Sequence, residues 1–204
     1  RDVAPSRGLG DVYKRQDLPM ELKYLPIIES ALNPVAVSRQ GATGLWQFML
    51  GTGKIYGLKN NSLIDERRDP IKSTWAAARY LKDLYAIYQD WNLVLAAYNC
   101  GPGTINKAIR RAGGATDYWT IYNYLPKETR GYVPAFIAAN YIMTYYCEHD
   151  ICPMETQLPS ATDTIHIHKD LHLQQVAEVC NLNIDQLRSL NPQYKKDIIP
   201  GNSE

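Results

Sequence analysis

The chain has 204 residues, 45% of them hydrophobic and 21% charged, with a formal net charge of +1. This is the composition of an ordinary globular protein with enough apolar side chains for a sizeable core. The basic residues gather no more densely than Arg67-Arg68, Arg110-Arg111 and Lys195-Lys196, so there is no electrostatic footprint for nucleic acid. No apolar run approaches the roughly 18 to 20 residues of a bilayer span.

In chain order, Arg1 to Gln16 carry Pro5, Gly8 and Gly10 without helical or strand periodicity, so residues 1–16 are expected to be a disordered or non-native tail. They do not have the make-up of a signal peptide, and the sequence is expected to be a piece of an exported protein. From Asp17 to about Met154 apolar residues recur every three or four positions, with Gly, Pro, Asn or Asp between segments, which predicts helices throughout and no strand. Leu22, Leu25, Pro26 and Glu29 stand at i, i+3, i+4 and i+7 and share one helical face, which carries Glu29 toward the apolar side. Burial there disfavours the charged form, and a carboxyl group kept protonated is what a general acid needs. The other reading is a helix end that faces water or pairs with Arg39.

Asn33-Pro34 through Ser38 and Gly41-Ala42-Thr43-Gly44 follow as loops whose small residues permit close approach of a substrate, and Leu45 to Met49 are expected to be amphipathic. Gln47 within that run needs a hydrogen-bond partner, either a sugar or the core itself. Asp65, Glu66 and Asp69 are expected to form a charged, solvated loop. Asp69-Pro70 is a helix start, a capping acid followed by proline at the first helical position, leading into a helix to Tyr88 with Ala77, Leu81, Leu84, Tyr85 and Tyr88 on one stripe. Trp91 to Asn99 is apolar almost all round and predicts a buried helix, closed by the polar tips of Tyr98 and Asn99 and by Gly101-Pro102-Gly103. A helix over Thr104 to Ala112 and a second buried helix over Gly131 to Cys147 complete this part.

The four cysteines are too few for a disulfide scaffold and lack the paired Cys-x-x-Cys spacing of zinc sites. Cys147 and Cys152 flank a short turn and suit either a bridge in an oxidising compartment or two free thiols. Residues 155–162 have the composition of a linker, with a boundary near 155. Beyond it Thr164 to His168 alternates like a strand, and Leu171 to Cys180 and Ile184 to Leu190 predict short helices. His166, His168 and His172 have spacing that a metal could use but suit surface or strand positions better.

Glu29-Ser30, then Ser38, then Gly41-Ala42-Thr43-Gly44-Leu45-Trp46-Gln47-Phe48-Met49, then Ala97-Tyr98-Asn99-Cys100-Gly101-Pro102-Gly103 occur in one order. In this the chain resembles the soluble-lytic-transglycosylase (SLT) family, and especially the branch typified by membrane-bound lytic murein transglycosylase D, over roughly Asp17 to Cys147. The resemblance implies a mainly α, lysozyme-like (goose-type/SLT) catalytic domain at 17–154. It also implies Glu29 as sole catalytic acid and base, and Ser38, Gln47, Met49, Tyr98 and Asn99 as substrate-binding residues. Thr129-Arg130-Gly131-Tyr132-Val133-Pro134 extends the match and adds Tyr132. Trp46 stands where Met is commonest in the family.

The implied reaction cleaves the bond from N-acetylmuramic acid to N-acetylglucosamine in peptidoglycan without water. The substrate's acetamido group assists, and the product ends in a 1,6-anhydro ring. No cofactor and no metal are implied, and the protein is expected to act as a monomer in the periplasm or cell envelope, with an outer-membrane lipoprotein as one possible full-length form. Residues 163–204 resemble a LysM module, a small α+β unit that binds N-acetylglucosamine chains; its closing strand is expected to be missing after Ile199-Pro200-Gly201. The alternatives are a goose-type lysozyme-like hydrolase and a catalytically idle glycan-binding protein.

Overall fold

The computed structural model describes residues 12–152 and 162–201. The expected tail before Val12 and most of the expected linker lie outside the described residues. The chain divides into two compact units, one of Tyr13–Ile28 with Ala77–Cys152, the other of Glu29–Ala76 with the C-terminal segment. One crossing between the units falls between Cys152 and Pro153, and the other crossings lie within the stretch expected as a single catalytic domain. None of the described helices is long and apolar enough to cross a membrane.

In the first unit, residues 12–16 form a helical turn, α1, in place of the last part of the expected tail, and Val12 and Tyr13 are 4% and 0% exposed. A helical period cannot be displayed by five residues, which is why this anchor has no pattern. A 3-10 turn, Met20–Tyr24, runs directly into α2, Leu25–Ser30, and the expected stripe of Leu22, Leu25 and Pro26 is buried. The long helix α4, Pro70–Tyr88, buries Ala77, Leu81, Leu84 and Tyr88 as expected. Helix α5, Trp91–Cys100, is capped by the Asp90 carboxylate, which accepts from Leu93 N–H at 2.7 Å, and Leu93 to Ala97 are buried without interruption. Gly101, at φ +82°, ends α5, and Pro102 opens α6, Pro102–Arg111, so the break expected over three residues occupies one.

Helix α7, Tyr118–Ile121, precedes α8, Lys127–Tyr145. The second buried helix expected at 131–147 starts earlier and is buried only in its first half, through Thr129, Tyr132, Val133 and Phe136. Ile137, Tyr141, Ile142, Met143 and Tyr145 are exposed. Pro134 lies inside α8 and has no N–H for the Arg130 carbonyl four residues back. The Tyr118 hydroxyl donates there instead, at 3.0 Å to Arg130 O and 3.3 Å to Thr129 O.

In the second unit, residues 31–49 are irregular, held by isolated bridges of Thr43 to Val37 and to Phe48. The stretch Leu45 to Met49, expected to be amphipathic within a helical pattern, forms turns; the helix begins after it as α3, Leu50–Ile55. Trp46 is fully buried and donates its indole N–H to the Thr74 hydroxyl at 2.9 Å, which in turn donates to Pro70 O at 2.5 Å.

The expected solvated acidic loop is also overturned, since Asp65 and Glu66 are 2% and 4% exposed. Arg67 grips Asp65 with both prongs, Nε to Oδ1 at 2.9 Å and Nη2 to Oδ2 at 2.7 Å, while its Nη1 donates to Gly41 O at 3.0 Å and Phe48 O at 3.1 Å. Glu66 accepts from Lys59 N–H at 2.7 Å and pairs with Lys72. Asp69 caps α4, accepting from Ile71 N–H and Lys72 N–H at 2.9 Å each. A buried charge survives only when paired and hydrogen-bonded, and each of these acids has found such partners.

The C-terminal segment has the order β1 (Leu171–His172), α9 (Leu173–Cys180), α10 (Ile184–Leu190), β2 (Ile198–Ile199). The strand expected at Thr164–His168 is absent from those residues; a short strand, β2, closes the sheet before Pro200-Gly201, and the place after Gly201 where the closing strand was expected to be missing lies outside the described residues. β2 pairs antiparallel with β1, Leu171 opposite Ile199 and His172 opposite Ile198. His172 caps α9 reciprocally with Gln175: its Nδ1 accepts from Gln174 N–H at 3.1 Å, and its own N–H donates to Gln175 Oε1 at 3.0 Å.

Burial pushes the Asp65 carboxyl up, but the hydrogen bonds and charge of Arg67 pull it down further, and the net is below the ordinary carboxylate value. A carboxyl depressed on folding stabilises the fold above its unfolded pKa of about 3.9, and that contribution fades as pH falls through the lower folded value. Asp65→Asn leaves the Arg67 charge buried without its counter-ion and is expected to cost about 3 to 5 kcal/mol in urea unfolding at neutral pH. The difference from wild type should narrow below about pH 4; a difference constant down to pH 2 would contradict the ion pair as its source.

Candidate active site

Glu29 sits in the last turn of α2, half-buried, after the buried Leu22, Leu25 and Pro26. The next side chain fixes the end of that helix: the Ser30 hydroxyl donates to Leu45 O at 2.9 Å. Ala31 and Leu32 then adopt φ of +50° and +62°, a left-handed conformation that L residues take at a cost and that stops the helix immediately behind the acid.

Ser38 is exposed at the head of a tight turn. Its N–H donates to Ala42 O at 2.9 Å, and its Oγ accepts from Ala42 N–H at 3.0 Å, leaving the hydroxyl proton for a ligand. Gln47 is also left-handed, at φ +46°, and its amide nitrogen donates to Gly44 O at 2.9 Å and Ala36 O at 3.3 Å. The N–H₂ end is thus spent on its own loop, as in the reading of Gln47 as a satisfied amide, while Oε1 makes no hydrogen bond among the described residues. Met49, 46% exposed, is the N-cap residue of α3. These residues and Glu29 belong to one unit.

Tyr98, Asn99 and Tyr132 belong to the other. The Tyr98 ring packs 5.3 Å from that of Tyr80, centroid to centroid. Asn99 Oδ1 accepts from the buried Thr129 hydroxyl at 2.9 Å, so the start of α8 orients the amide that ends α5. Tyr132, one turn further along α8, is 9% exposed. All four cysteines are free.

In the segment from Glu29 to Ala76, Asp65 is held by Arg67, Glu66 by Lys72 and the Lys59 amide, and Asp69 by the start of α4. Sequence reasoning missed Asp65 and Arg67 as supports of the Gln47 loop, and Thr129 as the support of Asn99. Their partners are backbone carbonyls 19 and 26 residues away, or an amide 30 residues away, and no short-range pattern announces such pairs.

The transglycosylase SLT domain family matches residues 11–121, more than half of the chain, and the chain belongs to that family. Residues 161–204 match the family described as lytic transglycosylase MltD, LysM-like domain. Among curated proteins, membrane-bound lytic murein transglycosylase D of Escherichia coli (strain K12) is 36% identical over 186 residues, which cover 89% of this chain and 41% of that protein. The chain therefore spans about two fifths of that relative's length. Among solved structures, the 70 kDa soluble lytic transglycosylase from Escherichia coli superposes with a TM-score of 0.55 at 29% identity, covering 67% of this chain and 24% of that one. The lytic transglycosylase Slt of Pseudomonas aeruginosa, at 24% identity and a TM-score of 0.56 over 72% of this chain and 25% of that one, shares the fold.

Gly44 is where the loop has least room. At φ +88° an added Cβ would lie 1.8 Å from Arg67 O. Gly44→Ala is therefore expected to cost more than about 1 kcal/mol of stability and, by displacing the Gln47 loop, on the order of 100-fold in turnover. Wild-type melting and wild-type turnover of that variant would show that the close approach is not needed.

Proposed function

We propose that this chain cleaves the glycan strands of peptidoglycan at the β-1,4 bond from N-acetylmuramic acid to N-acetylglucosamine, without water, using Glu29 as its one acid and base. The observation that carries this reading is the position of Glu29. It lies half-buried at the end of α2, followed by a loop that presents Ser38, Gln47 and Met49. Membership of the SLT family and the names of the relatives support the substrate class.

In this reading Glu29 protonates the glycosidic oxygen as the bond to C1 of the muramic sugar breaks. Most glycosidases bring a second carboxylate as nucleophile or base. Here the substrate's acetamido oxygen takes that place at C1. The Glu29 carboxylate then removes the proton of the C6 hydroxyl, and O6 displaces the acetamido oxygen to close the 1,6-anhydro ring. The proton lost in the first step is regained in the second, so the enzyme is unchanged. Ser38 supplies a donor, Gln47 Oε1 an acceptor and Met49 an apolar surface to the sugars, with Tyr98, Asn99 and Tyr132 completing the binding set. The C-terminal module holds N-acetylglucosamine-containing strands, and the whole protein works in the cell envelope.

Purified sacculi incubated with wild type should release muropeptides carrying 1,6-anhydromuramic ends, detected by mass. Glu29→Gln should reduce that release by at least about 1,000-fold, since one group performs both proton transfers, each worth roughly 100-fold or more. Hydrated reducing ends alone would make the protein a hydrolase, and equal release by the variant would remove Glu29 from the chemistry.

A further inference from the structure

The C-terminal module is joined to the Glu29–Ala76 segment by more than the covalent chain, and the two form one compact unit. Residues 63–65 and 193–195 run antiparallel as a backbone pair. Asp65 N–H donates to Gln193 O at 2.8 Å, Lys195 N–H donates to Leu63 O at 2.8 Å, and Ile64 lies opposite Tyr194. The Lys195 ammonium adds bonds to Asn61 O at 2.6 Å and Asn60 Oδ1 at 3.1 Å. Ile64 is buried, and Tyr194 is buried deeply enough to push its hydroxyl pKa up, so the pair also removes apolar surface from water.

Asp65 stands in two systems at once. Its N–H belongs to the pairing with Gln193, while its carboxylate holds Arg67, whose remaining donors hold Gly41 O and Phe48 O in the loop of Gln47. Three hydrogen-bonded steps thus lead from the module to that loop. We infer that the LysM-like module is a brace for the substrate-binding loop: by pairing with residues 63–65 it keeps Asp65 and Arg67 in register and so positions Ser38, Gln47 and Met49. Gln193, Tyr194 and Lys195 are positioning residues in this scheme, which rests on the assignment of that loop to glycan binding.

A brace and a glycan-binding tether differ in what they help. A tether aids only a polymer long enough to reach the module, whereas a brace acts on any substrate of the loop. In the full chain, Lys195→Pro removes the N–H that donates to Leu63 O and sets a ring in its place; Lys195→Ala keeps that N–H. Both variants should be assayed on intact sacculi and on a short soluble tetrasaccharide of the same glycan. Hydrogen exchange is read in parallel at Thr43 and Phe48, whose amides donate to each other's carbonyls at 3.1 Å.

The expected result for Lys195→Pro is a several-fold rise in KM on both substrates, a smaller change in kcat, and faster exchange at Thr43 and Phe48, with Lys195→Ala recovering most of the loss. A defect on sacculi alone, with unchanged exchange, overturns the brace in favour of a tether, and no defect on either substrate overturns it outright. Should the proline variant fail to fold, exchange in the wild type decides. Protection of the Asp65 and Lys195 amides comparable to the flanking helices supports the brace, and unprotected exchange overturns it. A wild type inactive on both substrates would end the proposed function, yet faster exchange at Thr43 and Phe48 in Lys195→Pro would still support the brace.

Discussion

The buried fork of Arg67 on Asp65 is the interaction on which the site depends. Loop 36–49 has little regular structure of its own, only isolated bridges and turns, so its shape must be imposed from outside. A guanidinium is suited to this because it is planar, always charged and carries donors in a rigid fork. Two prongs are neutralised by one carboxylate, and the remaining donors meet two carbonyls seven residues apart in sequence, drawing them together. Gly44 shows how close the fit is, because its backbone runs against the Arg67 carbonyl where no Cβ has room. A lysine could neutralise Asp65 but could not hold this planar arrangement.

Around that fork, polar groups are satisfied by relays. Trp46 brings its bulk into the interior with its N–H passed on through Thr74 to the first turn of α4, which anchors the loop a second time. Ser30 ties the end of α2 to Leu45, so the acid and the loop beside it in sequence are fastened to one another. Thr129 does the same work for Asn99, and the proline that deprives the Arg130 carbonyl of its helical partner is compensated by Tyr118. Each bond is worth only about 1 kcal/mol net, but leaving any one of these buried groups unpaired costs more than the bond contributes. The arrangement is therefore held less by attraction than by the penalty for every alternative.

This pattern also shapes the chemistry. Asp65 and Glu66, though buried as a catalytic carboxyl often is, are bonded to Arg67 and Lys72 and serve as structure. Glu29 lies at a helix end stopped by left-handed residues, with the loop of Ser38, Gln47 and Met49 following in the chain. Burial alone does not mark a catalytic carboxyl.

The sequence by itself determined the helical class, the long helix from Pro70 with its capping Asp69, the buried α5 and the family the chain belongs to, because these depend on local periodicity, capping and short contiguous signatures. Only the tertiary structure decided that Val12 and Tyr13 are core, that Asp65 and Glu66 are buried rather than solvated, that half of α8 faces water, and that Ile198–Ile199 closes the C-terminal sheet. The physical reason is common to all four. Each outcome is set by what the fold brings together: the ion pairs and hydrogen bonds around Asp65 and Glu66, a neighbouring helix face or its lack, and the pairing of Leu171 with Ile199 and His172 with Ile198. A local pattern records what a residue prefers, whereas burial of a charge or closure of a sheet is decided by what the fold brings to meet it.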